Sequence, residues 1–145
     1  MKISHRAACI AYAVIGVSAL VTTWGNLIGL LHVHGFWGGT LKFWQDVLVN
    51  ESSRFAIADT LFLGLAVVFW MVMEARRLRI PFVWAYVFLG LFVAISFAVP
   101  MFMIHRQSRL AADGGSAGEM RRVDAVLLLF FGLAFVVYTG LALLR

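Results

Sequence analysis

The sequence has little charge and a single cysteine. Only 13% of its 145 residues are charged, about half the share that is usual in a soluble domain. Cys9 has no partner for a disulfide within the chain, and it lies inside the first apolar segment, so it does not indicate a redox compartment. The low charge excludes an ordinary soluble globule.

Motifs of soluble enzymes are also absent from the sequence. There is no P-loop, no CxxC, no HExxH and no Ser/His/Asp order. An arginine-rich face interleaved with aromatic residues is missing too, although the formal net charge is +5. The 12 basic residues instead flank apolar segments in small groups, where such charges set topology and contact anionic headgroups. We therefore expect the lipid bilayer, and no nucleic acid, as a partner.

Long apolar runs make up most of the chain. A membrane helix needs about 20 apolar residues, and hydrophobic residues form 63% of the sequence, enough for four such helices. The runs cover residues 7–31, 55–73, 80–104 and 125–144. We predict an all-α integral membrane protein, a four-helix bundle that forms one transmembrane domain over residues 1–145.

The connections between the runs carry their own signals. Leu41, Trp44 and Leu48 recur at helical spacing between the first two runs, which predicts a short interfacial amphipathic helix there. Pro100 lies in the last turns of the third run, where we expect it to bend the helix. Residues 111–118 are small and polar, which predicts a flexible connection before the fourth run.

Basic residues give a weak indication of orientation. If each run crosses once and the N-terminus is inside, six basic residues lie on each side. The inside set is Lys2, Arg6, Arg76, Arg77, Arg79 and Arg145, and the outside set is Lys42, Arg54, Arg106, Arg109, Arg121 and Arg122. The first helix usually dominates, and Lys2 and Arg6 stand beside it. We predict a multi-pass protein of the cell membrane with both termini in the cytoplasm.

Small residues line one face of the first three runs, which predicts close helix packing. These faces are Ser18, Thr22, Gly25, Asn26, Gly29 and His32 on the first run, Ala56, Thr60 and Gly64 on the second, and Gly90, Ala94 and Ala98 on the third. Gly25 and Gly29 form a GxxxG pair, which allows another helix backbone to approach closely.

Several polar side chains are expected to meet at one membrane surface. With consecutive spans, that surface holds Asn26, His32, Asp59 and His105. A carboxylate at the depth of Asp59 costs about 2.5 to 3.5 kcal/mol unless it is protonated, paired or in contact with water. Asp59 therefore either fixes helix packing through a polar partner or, with Arg54, completes a pocket for a lipid headgroup or small polar ligand. The candidate ligand-binding residues are Asn26, His32, Arg54, Asp59 and His105.

The histidines support a metal site less strongly than they support a ligand pocket. Imidazole and carboxylate groups suit zinc or iron, but His32 and His34 are two residues apart and diverge on a helix. Haem needs axial ligands on facing helices, whereas these histidines lie at the ends of runs. We expect no metal and no cofactor.

Three short segments stand out: residues 50–59 (NESSRFAIAD), 74–78 (EARRL) and 96–100 (SFAVP). They resemble a family of short bacterial multi-span membrane proteins known only as a domain of unknown function, and the likeness covers residues 44–110. The resemblance implies an integral membrane protein and points to Arg54, Asp59, Glu74 and Arg77 as the positions that match the family pattern. It implies no activity.

Together these features favour a structural or accessory membrane subunit, which packs with itself or with a larger membrane complex, over an enzyme. The alternative is a membrane-embedded enzyme or carrier for a lipid or isoprenoid, with Asp59 or Glu74 as proton donor. A solid bundle favours the accessory role, and a cavity with a carboxyl group at its wall favours the enzyme.

Overall fold

The computed structural model describes residues 3–118 and 121–143, and every regular element in them is helical. The elements are α1 (His5–Asp46), α2 (Glu51–Arg77), α3 (Val83–Leu89), a π-helical turn (Gly90–Ala94), α4 (Ile95–Ala112) and α5 (Arg122–Leu143). By length and composition alone, three stretches are candidate membrane spans: His5–Asp46, Glu51–Arg77 and Val83–Ala112. The predicted all-helical membrane character is therefore confirmed.

Helix α1 contains the predicted first span and continues beyond it. The Ser4 hydroxyl caps its N-terminus by accepting a hydrogen bond from the Ala7 amide at 3.1 Å. The helix kinks at Gly35, whose φ of 71° and ψ of 173° are non-helical and suit a residue without a side chain. Residues 36–46 are thus the last part of α1 after a kink. Their predicted position at the membrane interface stays a prediction.

Backbone hydrogen bonds cap the C-terminus of helix α2. The Leu78 amide donates to the Glu74 carbonyl at 2.9 Å, and the Ile80 amide donates to the Ala75 carbonyl at 2.8 Å. Arg79 has a φ of 52°, the left-handed conformation that commonly follows a helix end. These bonds pair carbonyls that the helix leaves free, so α2 stops cleanly before the next helix.

Helices α3 and α4 fold back on each other. The Tyr86 hydroxyl lies 3.0 Å from His105 Nδ1, and a Cβ on Gly90 would lie 3.6 Å from that of Ala98. In one straight helix, 19 residues would separate Tyr86 and His105 by about 28 Å. The chain reverses at Ala94, which is extended, with φ −170° and ψ 130°. The third run, predicted as one helix over residues 80–104 that bends near Pro100, instead reverses six residues before Pro100.

This helical hairpin has one arm too short to cross a bilayer. Residues 83–94 rise about 18 Å and residues 95–112 about 27 Å, against a hydrocarbon core of about 30 Å. Irregular backbone at that depth requires a polar partner. The Trp24 indole N–H supplies one, since it donates to the Val93 carbonyl at 3.2 Å. The reversal is therefore stabilised by α1.

Helices α1 and α2 both pack against the hairpin. Helix α1 runs antiparallel to α4, with Gly16 against Pro100, where an added Cβ would lie 3.2 Å from the proline Cβ. Helix α2 runs parallel to α4, with Gly64 packed against Ile95. The core between α2 and the hairpin consists of Met71, Ala75, Ile80, Val83 and Phe102.

Helix α5 packs less closely than a bundle helix. It contacts α1, and residues 126–138 are all exposed on the surface of the chain. The compact unit is therefore α1, α2 and the hairpin, and the predicted four-helix bundle is not confirmed. Residue 144, the end of the predicted fourth span, lies outside the described residues.

Candidate functional site

The best-defined polar cluster surrounds Glu74, near the end of α2. Glu74 is 8% exposed. Its Oε2 accepts from Arg77 Nε at 2.7 Å, and its Oε1 accepts from Arg77 Nη2 at 2.6 Å and from Arg106 Nε at 2.6 Å. One carboxylate thus receives three charge-assisted hydrogen bonds from two guanidinium groups, which are the strong kind.

The fold explains why these three side chains meet. Glu74 and Arg77 are three residues apart and therefore neighbours on one helix face. Arg106 comes from α4, and the fold-back at Ala94 returns it to the level of Glu74. Phe102 and Met71 lie almost fully buried in the adjoining core, so the Glu74 carboxylate is held at the edge of an apolar core.

Two further polar contacts lie at the same end of the molecule. Tyr86 bonds His105, the neighbour of Arg106 in the sequence. The His5 ring lies 3.0 Å from the Gln107 side-chain oxygen and 2.9 Å from the Gly115 carbonyl. The His5 ring therefore joins the start of α1 to α4 and to the connection that follows α4. We call this end, where His5, Glu74 and Arg106 lie, the arginine end.

The predicted ligand-binding residues are spread over the molecule. The Asn26 amide donates to the Thr22 carbonyl of its own helix at 2.8 Å. Arg54 Nη1 donates to the Leu48 carbonyl at 2.9 Å. Asp59 is exposed on α2, and within residues 3–118 and 121–143 it forms no ion pair.

The expectation that His105 shares a surface with Asn26, His32 and Asp59 does not hold. It assumed that the third segment crosses once, whereas the fold-back puts His105 beside Tyr86 at the arginine end. His32 lies near the opposite end of α1, where it lines an open cleft of about 230 Å³ with Ile28 and Leu31. A binding role for these residues stays a prediction.

The four family-pattern residues fall into two pairs. Glu74 and Arg77 are bonded to each other. Arg54 and Asp59 lie in the other half of the same helix, both exposed. That half contains Ser53, Ala56 and Thr60, which with Val47 line a second open cleft of about 240 Å³. The pattern thus marks both ends of α2.

Sequence reasoning missed Arg106, Tyr86 and Gln107 as partners at the arginine end. Glu74 at the end of an apolar run indicates that cationic partners are needed, and Arg77 follows from helical spacing. Arg106 and Gln107 become neighbours of α2 and α1 only through the reversal at Ala94, which no glycine or proline marks in the sequence.

Neither cleft resembles a ligand pocket. Both are smaller than the usual lower bound of about 300 Å³ for such pockets, and neither is lined by Asp or Glu. Among the residues that the structure describes, no group of three or more His, Cys, Asp or Glu is placed to hold a metal ion.

Comparison with known proteins yields one match. Residues 11–108 match the model of a family described as "Protein of unknown function DUF2834". The match covers α1 from its second turn, α2 and nearly all of the hairpin, and it leaves α5 outside. No curated protein and no solved structure matches the chain. The predicted resemblance to a domain of unknown function is therefore confirmed.

Proposed function

We propose that this chain, which belongs to the DUF2834 family of unknown function, is an accessory membrane protein that packs laterally against another membrane chain. The observation that carries the proposal is Asp59, a carboxylate inside a candidate span that is exposed on the surface of the chain. Facing lipid, it would cost about 2.5 to 3.5 kcal/mol, and a neighbouring chain removes that cost by giving it a polar partner.

The face around Asp59 points away from the hairpin. Asp59 lies about 140° around α2 from Gly64, and Gly64 packs against Ile95 of the hairpin. Ala56 and Thr60 are exposed in the same half of the helix. A partner helix that approaches this half meets small side chains together with the carboxylate, the combination typical of membrane helix interfaces.

The small-residue face of α1 is also unoccupied. Gly29 lies about 140° around the helix from both Gly16 and Trp24, which face the hairpin. A Cβ added to Gly29 would meet no atom within 4 Å among the described residues. Asn26 is exposed beside it. Two helices therefore each present a small, polar surface outward.

The enzyme hypothesis receives less support. Glu74 accepts three hydrogen bonds from two arginines, which favours the ionised carboxylate and makes it a poor proton donor. Asp59 lines neither of the two clefts. No observation favours a reaction on a lipid or isoprenoid over lateral packing.

We further propose an orientation in the cell membrane. Because the hairpin returns to its starting surface, the arginine end gathers eight described basic residues: Arg6, Arg76, Arg77, Arg79, Arg106, Arg109, Arg121 and Arg122. The opposite end has two, Lys42 and Arg54. The positive-inside rule then favours the arginine end in the cytoplasm, and a single crossing by α5 puts the C-terminus outside. Lys2 and Arg145 of the earlier six-to-six count lie outside the described residues.

The lateral interface is tested by Gly29→Leu, with Gly132→Leu as the matched control. Gly132 on α5 also has nothing within 4 Å of an added Cβ. In mild detergent, native mass spectrometry should find the wild-type chain and Gly132→Leu in an assembly. Gly29→Leu and Asp59→Leu should weaken that assembly by about tenfold or more. A monomeric wild-type chain, or an assembly indifferent to both changes, would contradict the proposal.

A further inference from the structure

Glu74 holds the guanidinium groups of Arg77 and Arg106 in place at the arginine end, but it accepts only some of their N–H donors. An arginine has five N–H donors. Arg77 gives two of them to Glu74 and Arg106 gives one, which leaves three and four donors, respectively, beyond this contact. The side chain of Arg77 is 61% exposed and that of Arg106 is 21% exposed. Two fixed forks of donors therefore remain available at the surface of the molecule.

The charge at this cluster is positive. Two guanidinium groups against one carboxylate leave a net charge of +1. Arg76 and Arg79 are exposed close by in the sequence, and Asp113 lies seven residues beyond Arg106, about 10 Å along α4. An anion at the cluster is therefore attracted, and the two forks match the geometry of phosphate oxygens.

The surroundings of the cluster point to the headgroup layer of a bilayer. Glu74 and Arg77 lie in the last turn of a candidate span. The short loop that follows carries Phe82, which is 82% exposed, and Trp84 is exposed at the start of α3. Exposed aromatic side chains beside arginines at the end of a span are typical of the membrane interface.

We propose that Arg77 and Arg106 bind the phosphate of an anionic lipid headgroup, and that Glu74 is the positioning residue that holds both guanidinium groups in the binding geometry. This site is separate from the lateral interface around Asp59 and Gly29, which lies in the other half of α2 and on the far side of α1. A failure of one proposal therefore leaves the other standing.

The test titrates the purified full-length chain in detergent with phosphatidylglycerol, phosphatidylcholine or inorganic phosphate. Phosphatidylglycerol should bind at least about tenfold more tightly than phosphatidylcholine, because it lacks the choline cation that competes with the arginines for the phosphate. Inorganic phosphate at the same concentration should not reproduce the binding. An equal effect of inorganic phosphate would overturn the lipid assignment.

Variants separate the effect of positive charge on lipid binding from the effect of the fixed guanidinium geometry. Arg77→Gln and Arg77→Lys should each remove most of the preference for phosphatidylglycerol, since lysine keeps the charge but lacks the fork. Arg122→Gln removes the same charge from the start of α5 and should leave the preference within about twofold. Equal losses in Arg77→Gln and Arg122→Gln would overturn the proposal.

Glu74→Gln gives the most specific outcome. It raises the local positive charge, so simple electrostatic attraction predicts tighter binding of phosphatidylglycerol. The positioning role predicts weaker binding, by about fivefold or more, because the guanidinium groups lose their charged acceptor. Tighter binding by Glu74→Gln would contradict the role assigned to Glu74. If Glu74→Gln does not fold, Arg77→Lys tests the binding geometry instead, because the side chain of Arg77 is mostly exposed. A preference for phosphatidylglycerol that Arg77→Lys retains would overturn the proposal.

Discussion

Two carboxylates of α2 lie in different environments. Glu74 and Asp59 both belong to a largely apolar helix. Glu74 is buried and bonded to two arginines, whereas Asp59 is exposed. At the scale of the residue, this contrast assigns the two carboxylates different roles. Glu74 joins α2 to α4 within the chain, whereas Asp59 belongs to the lateral interface that we propose.

The first prediction concerns the bond between Arg106 and Glu74. Arg106→Gln should lower the free energy of unfolding by about 1 to 3 kcal/mol, because it removes a hydrogen bond to a mostly buried carboxylate. The measurement is the unfolding of the detergent-solubilised chain by denaturant or heat. Arg122→Gln, at an exposed position, serves as the control and should change stability by less than about 0.5 kcal/mol. Equal stability of the two variants would contradict the structural role of Arg106.

The sequence analysis predicted no partner for Glu74, although helical spacing could have indicated one of the two. Arg77 follows from the spacing of residues on one helix. Arg106 is 32 positions away, and its approach depends on where the chain reverses. The need for a partner was visible in the sequence, but the identity of the second partner was not.

The helical hairpin is the element that differs most from the sequence prediction. The long apolar runs predicted α1, α2 and α5 because each is continuous and uncharged over most of its length. The third run predicted a single helix for the same reason. Its reversal occurs at Ala94, an extended residue, and extended backbone is open to most amino acids. Composition therefore could not reveal the break.

The second prediction concerns the bond that stabilises the reversal. Trp24→Phe removes the indole donor to the Val93 carbonyl while keeping an aromatic ring. It should cost about 0.5 to 2 kcal/mol, the range of polar contacts between membrane helices. The matched control is Trp37→Phe, since Trp37 is 81% exposed. Thermal unfolding of both variants in the same detergent measures the difference. An equal change in the two would show that the Val93 carbonyl does not depend on Trp24.

At the scale of the whole molecule, the hairpin changes how charge is distributed. With a single crossing of residues 80–104, the basic residues divide equally between the two surfaces. With the fold-back, Arg106 and Arg109 return to the surface of Arg76, Arg77 and Arg79. The connection 113–118 lies there too, because the Ile3 amide donates to the Gly118 carbonyl at 3.3 Å. Arg121 follows within about 11 Å of chain.

The uneven distribution of basic residues makes the two ends of the molecule chemically different. The arginine end is basic and internally bonded, which suits contact with anionic headgroups. The other half exposes Gly29, Asn26 and Asp59, which suits contact with a protein. Helix α5 lies outside the family match and outside the compact unit, so the core fold consists of α1, α2 and the hairpin.

The most direct test of this account is the sidedness of residues on either side of the hairpin. Single cysteines are introduced as Arg79→Cys and Asp113→Cys, each in a Cys9→Ser background, and intact cells are treated with a membrane-impermeant maleimide. The fold-back predicts that the two cysteines behave alike. With the arginine end in the cytoplasm, both are protected in intact cells and both react after permeabilisation. Reaction of one cysteine and protection of the other in intact cells would show a single crossing and contradict the hairpin.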